Sequence, residues 1–120
     1  MLDSVENLEI WQMAVQSVKS VYVLTKDWPR EELYGLTSQV RRSATSIPAN
    51  IAEGVGRGTP GEAARFGQIA LGSLYELDTL LFLAAELRYS SQDSVKTLRE
   101  ELTMLAKRTS SFIRYQETQS

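Results

Sequence analysis

The chain has 120 residues, with 13 Lys and Arg against 15 Asp and Glu for a net charge of −2, and it contains neither Cys nor His. A domain of this size buries roughly two-thirds of the surface its unfolded chain exposes, so one core is feasible without disulfides or metal. The two missing residue types exclude disulfides, thiolate zinc sites, thiol nucleophiles, imidazole ligands and histidine bases. A pI near 5.2 argues against nucleic-acid binding by bulk charge, which needs many Lys or Arg against phosphates. The opening Met1-Leu2-Asp3-Ser4-Val5-Glu6 is acidic and has neither the basic flank nor the apolar run of a signal peptide. The longest apolar block, Leu80 to Ala85, is six residues long, well short of the ~18 of a membrane span. A cytoplasmic protein with no membrane contact is expected.

Proline and glycine divide the chain into four segments, each with the helical period. The first, about residues 7–26, carries Leu8, Trp11, Val15, Val18, Tyr22 and Thr25 as its stripe. It stops at Asp27-Trp28-Pro29-Arg30, because the residue before a proline is driven out of the α region, and Trp28 is expected to pack back on the bundle. The second segment, about 32–57, sets Leu36, Val40, Ala44, Ile47, Ile51 and Val55 on one face. Pro48 lies inside it, where it removes the hydrogen bond to the Ala44 carbonyl and clashes there, so a kinked helix is expected. Thr59-Pro60-Gly61-Glu62 opens the third segment as a capping box with proline at the first helical position. Its stripe of Phe66, Ile69, Ala70, Leu74, Leu77, Leu81, Ala84 and Leu87 runs to about residue 88. The fourth segment, about 91–116, starts on Ser90 or Ser91 with Asp93 in the first turn, where negative charge suits the helix dipole. Val95, Leu98, Leu102, Leu105, Thr109 and Phe112 follow, and the residues from Gln116 to Ser120 are expected to fray. Four amphipathic helices joined by short turns predict one all-α domain, an antiparallel up-down-up-down four-helix bundle with a proline-kinked second helix.

Arg42, Ser46, Asn50, Glu53 and Arg57 recur on the second segment at spacings of four, four, three and four, so they share a helical face. Such a row reads either as a solvated face with ion pairs of about 0.3–0.5 kcal/mol each or as a polar seam against another subunit. The same region is locally basic. From Leu36 to Gly72, Arg41, Arg42, Arg57 and Arg65 stand against Glu53 and Glu62, a net of +2 that leaves −4 for the rest. Those four arginines are the candidates for contact with RNA phosphates, and equally for pairing with acids across a subunit boundary. Gly54-Val55-Gly56-Arg57-Gly58 lacks the preceding strand and the Lys-Ser/Thr of a phosphate loop and reads as an interhelical turn. Glu53, Glu76 and Asp78 read first as ion-pair partners, since a bundle-type di-iron site also needs Glu-x-x-His. No catalytic residue, metal, cofactor or small-molecule substrate is expected. Tyr75, Leu80, Phe82 and Leu83 fall off the main stripe of the third segment. A helix apolar over more than half its circumference is usually buried on both sides, which predicts a homo-oligomer.

The run Ser46-Ile47-Pro48-Ala49-Asn50-Ile51-Ala52-Glu53-Gly54 is followed by Gly56-Arg57 and preceded by Leu36-Thr37-Ser38-Gln39-Val40-Arg41-Arg42. Together with Ile69 to Leu77 and the opening Leu8-Glu9-Ile10-Trp11-Gln12-Met13, it resembles the four-helix bundle proteins of the 23S ribosomal RNA intervening-sequence type. The resemblance covers about Leu8 to Phe112. It implies a bacterial protein without a settled biochemical role that forms a closed ring of five antiparallel bundles. A related protein, the accessory variability determinant of diversity-generating retroelements, shares the pentamer and binds a reverse transcriptase and nucleic acid through a basic surface. This chain departs from that relative in being acidic overall. The resemblance therefore implies a non-enzymatic homopentameric interaction module, its subunit contact ordered by Arg42, Ser46, Asn50, Glu53, Arg57 and Glu76. The alternative is an RNA- or DNA-binding or reverse-transcriptase accessory protein using Arg41, Arg42, Arg57 and Arg65.

Overall fold

The computed structural model describes residues 3–119, so Met1 and Leu2 of the acidic opening and Ser120 of the tail lie outside the described residues. Five helices and one 3₁₀ turn follow in order: α1 (Asp3–Glu6), α2 (Glu9–Thr25), the 3₁₀ turn (Arg30–Glu32), α3 (Leu36–Gly56), α4 (Pro60–Glu86) and α5 (Gln92–Thr118). No strand occurs among the described residues, in line with the all-α class. At 1.5 Å per residue, the 27-residue α4 and α5 are each about 40 Å long. They account for the long dimension of a body measuring 45 × 23 × 20 Å.

Helix α4 is the central element, packed against α3 on one side and α5 on the other, while α2 closes the bundle against α3 and α5. Between α3 and α4, Ser46 meets Ser73 and Gly54 meets Ala63 and Phe66. Between α4 and α5, Gly67 meets Ile113 and Asp78 meets Arg99. In both interfaces, partner numbers fall as residue numbers rise. The core is a single cluster that includes Val40, Ile47 and Ile51, Leu74, Leu77 and Leu81, and Leu98, Leu102 and Leu105.

The second stripe lies where the spacing puts it; the third does except for exposed Ile69 and Leu87, the fourth ends on buried Ile113 with Phe112 half-buried, and the first is rotated. On α2 the buried residues are Ile10, Ala14, Ser17, Val21 and Thr25, while Leu8, Trp11 and Val18 are half-buried and Tyr22 is 44% exposed. Both rows are apolar, so the period alone does not choose between them. The inward row carries the smaller Ala14 and Ser17, and small side chains let neighbouring helices come close.

The helix ends follow local chemistry. Thr59 caps α4 by accepting the Glu62 N–H at 3.2 Å, and Ser91 caps α5 by accepting the Ser94 N–H at 3.1 Å. The expected capping box is used in one direction, because the Glu62 carboxylate turns to Arg57 and Arg65. Gly58, at φ +84°, provides the left-handed residue after α3. After α4 that conformation falls to Arg88, at φ 63°, with the Tyr89 N–H bonded to the Ala84 carbonyl in a Schellman-type closure. Helix α5 continues to Thr118, past Gln116.

Trp28 is buried, as expected, and its indole N–H donates to Ser90 Oγ at 2.7 Å. The Trp28 and Tyr89 rings meet at 5.9 Å between centroids. Through them the α2–α3 connection is fastened to the α4–α5 turn. Helix α4 is itself long and apolar enough to cross a membrane, with mean hydropathy 1.2 over 18 residues, although no uninterrupted apolar run reaches that length. Its packing between α3 and α5, with Leu74, Leu77 and Leu81 in the core and Asp78 ion-paired to Arg99, is that of a bundle's central helix.

Candidate functional site

Pro48 sits within α3, which is assigned as one helix from Leu36 to Gly56. Around it the small polar side chains serve the backbone. The Ser46 hydroxyl bonds the Ser43 carbonyl at 2.8 Å and the Ser73 hydroxyl of α4 at 2.7 Å. One hydroxyl proton serves one acceptor, so Ser73 donates to Ser46 while Ser46 donates to Ser43. Asn50 donates to the Ser46 carbonyl at 2.8 Å, and Thr45 bonds the carbonyls of Arg41 and Arg42.

Further along the row the arrangement is ionic. Arg57 donates to Glu53 at 2.9 Å and to Glu62 at 3.2 Å, and Arg65 donates to the other oxygen of Glu62 at 2.8 Å. Both guanidiniums lie over the Phe66 ring, at 4.7 and 4.5 Å from its centroid. The pair of arginines holds the Glu62 carboxyl below its ordinary range, chiefly through the hydrogen bond from Arg65, and the Glu53 hydrogen bond pushes the Arg57 pKa up. This network has two positive and two negative charges and closes the α3–α4 corner.

The sequence candidates thus fall into four groups. Ser46 reaches α4 through Ser73; Asn50 bonds back within α3; Glu53 and Arg57, with Arg65, form the corner network; Arg42 and Glu76 are exposed and have no ion-pair partner among the described residues. The four arginines do not form one patch. Arg41 turns toward α2, donating to Thr25 Oγ1 at 3.0 Å and lying over the Tyr22 ring, whereas Arg57 and Arg65 are engaged by carboxylates. Among the described residues, no group of three or more carboxylates is placed to hold a metal.

Outside the bundle core, α4 carries Ile69, Tyr75, Phe82 and Leu83 at exposures of 43, 67, 47 and 42%, and Leu87, the residue after it, is 55% exposed. Ile69, Glu76 and Leu83 recur every seven residues, so they form one row beside the α3 contact. On the other flank, toward α5, a groove of about 580 Å³ has Leu74, Leu102 and Ala106 among its lining. Exposed Tyr75, Lys107 and Arg114 stand at its rim. Sequence reading missed this groove. Its only signal is the run of small residues Thr103, Ala106, Ser110 and Ser111 on α5, which leaves room against α4.

An all-helical bundle whose central helix keeps apolar side chains exposed outside the core is the class of protein these features define. The family model described as 23S rRNA-intervening sequence protein matches residues 6–111, and the chain belongs to that family. A solved structure from Bacteroides thetaiotaomicron VPI-5482, described as a protein with unknown function from the S23 ribosomal protein family, is similar with a TM-score of 0.80 at 23% identity. The match covers 95% of this chain and 99% of that one, and it shows the shared fold. No curated protein matches the chain.

Proposed function

We propose that this chain is a non-enzymatic, homo-oligomeric helical module that assembles as a pentamer of antiparallel four-helix bundles, kinked at Pro48, in the cytoplasm. The observation that carries the reading is the double-sided character of α4. The helix fills the core with one side and leaves Ile69 and Leu83 on one flank, and Tyr75 and Phe82 on the other, between 42 and 67% exposed. Large exposed apolar side chains clustered on one element mark interaction surfaces. The opposed numbering of partners across α3–α4 and α4–α5 supports the antiparallel arrangement. The pentameric number rests on the family resemblance.

A role in binding RNA or a reverse transcriptase, of the kind suggested by kinship with the retroelement accessory determinant, has weaker support. Arg57 and Arg65 are engaged by Glu53 and Glu62, Arg41 is turned to Thr25, and Arg42 alone of the four is unengaged. Size-exclusion chromatography with light scattering tests the assembly reading. A particle of about five times 13.5 kDa is expected, and a monomer overturns the proposal.

A further inference from the structure

Resting on the assembly reading, we infer that the α4–α5 groove of one copy receives the Ile69–Glu76–Leu83 row of the next. The two surfaces lie on different flanks of α4 and complement each other. The row presents an exposed carboxylate without an ion-pair partner, Glu76, one turn-pair away from exposed Ile69 on one side and Leu83 on the other. The groove has an apolar floor of Leu74, Leu102 and Ala106, and Lys107 and Arg114 stand at its edge. Neither cation has a carboxylate partner among the described residues, and Arg114 donates only to Ser111, at 3.2 Å. By contrast, Arg57, Arg65, Arg99 and Arg108 all hold carboxylates of their own chain.

Apolar side chains that enter the groove leave water, and the carboxylate between them meets the cations at the rim. Such a contact joins two different surfaces, so it is heterologous. A heterologous contact leaves one row and one groove unsatisfied in a dimer and is completed only when a ring closes. It therefore accounts for a cyclic assembly with more than two members, which a self-complementary patch does not.

The test is charge reversal in the full chain, with helix content checked by circular dichroism and mass by light scattering. Glu76→Lys alone, and Lys107→Glu with Arg114→Glu, are each expected to raise the concentration for half-assembly by about tenfold or more, the scale of close charge pairs across interfaces. The variant carrying all three reversals is expected to regain assembly. Wild-type assembly that survives each reversal overturns this inference and leaves the oligomeric reading standing. Assembly lost in the single reversals and not regained in the combination also overturns the pairing. A wild-type monomer overturns both readings.

Discussion

Glu32 uses one carboxylate to hold two elements. Its Oε1 accepts the Leu36 N–H at 3.0 Å, at the start of α3, and its Oε2 accepts the Tyr89 hydroxyl at 2.8 Å from the α4–α5 turn. The Leu36 bond, more than the Tyr89 bond, holds this carboxyl below its usual range, while the shared hydrogen bond pushes the Tyr89 phenol up. Since the folded pKa lies below the unfolded value of about 4.3, the stabilisation is fully present above that value and is lost as pH falls through the folded one. Glu32→Gln should lower Tm near neutrality, and its gap to the wild type should narrow in acid. A gap independent of pH contradicts this role. A second residue works the other way. Thr109 is fully buried on α5 with its hydroxyl unbonded, and an unsatisfied buried hydroxyl costs about 1–3 kcal/mol. Thr109→Val keeps the shape and removes the group, so denaturant unfolding should show a gain of about 1 kcal/mol; a loss contradicts the assignment.

Among the elements, the α3–α4 pair depends on Gly54. A Cβ at this position would lie 2.7 Å from Phe66 Cβ, 3.1 Å from the Glu62 carbonyl and 3.2 Å from Ala63 Cα, so the obstacles include backbone. Helix propensity alone would favour alanine by about 1 kcal/mol, and overpacking costs about 1–3 kcal/mol. Gly54→Ala should therefore destabilise by up to roughly 2 kcal/mol, whereas Gly61→Ala, with nothing within 4 Å, should not. A stabilised Gly54→Ala protein contradicts the close approach. Features of this range differ in how far they can be read from sequence. The Thr59 and Ser91 caps and most of the stripes of α3, α4 and α5 are local patterns that residue spacing finds, although it also puts exposed Ile69 and Leu87 in the row and takes half-buried Phe112 for buried Ile113. The inward row of α2 is not readable, because Leu8, Trp11 and Val18 compete with Ile10, Ala14 and Val21 on hydrophobicity, and fit against α3 and α5 decides. Nor is the fate of the arginines. Spacing puts Arg57 beside Glu53, but only the α3–α4 packing brings Glu62, Arg65 and Phe66 to the same corner.

At the scale of the whole molecule, charge and apolar surface are distributed unevenly around α4. The corner network of Arg57, Arg65, Glu53 and Glu62 is neutral, so the positive excess of the middle of the sequence rests on Arg41, which is turned to Thr25, and on exposed Arg42. What remains for a partner is apolar surface with scattered charge: Ile69, Glu76 and Leu83 on one flank, and Tyr75, Lys107 and Arg114 around the groove on the other. Phe82 lies on the α5 flank, with the Arg99 guanidinium 5.4 Å from its ring centroid. The chain has neither Cys nor His, so what could stabilise it beyond its own core is burial of the apolar surface that α4 leaves exposed. The most direct measurement is the mass of the intact wild-type particle by native mass spectrometry. A single species of five chains is predicted, each of 13.5 kDa; a monomer, or a dimer that grows no further, contradicts the account.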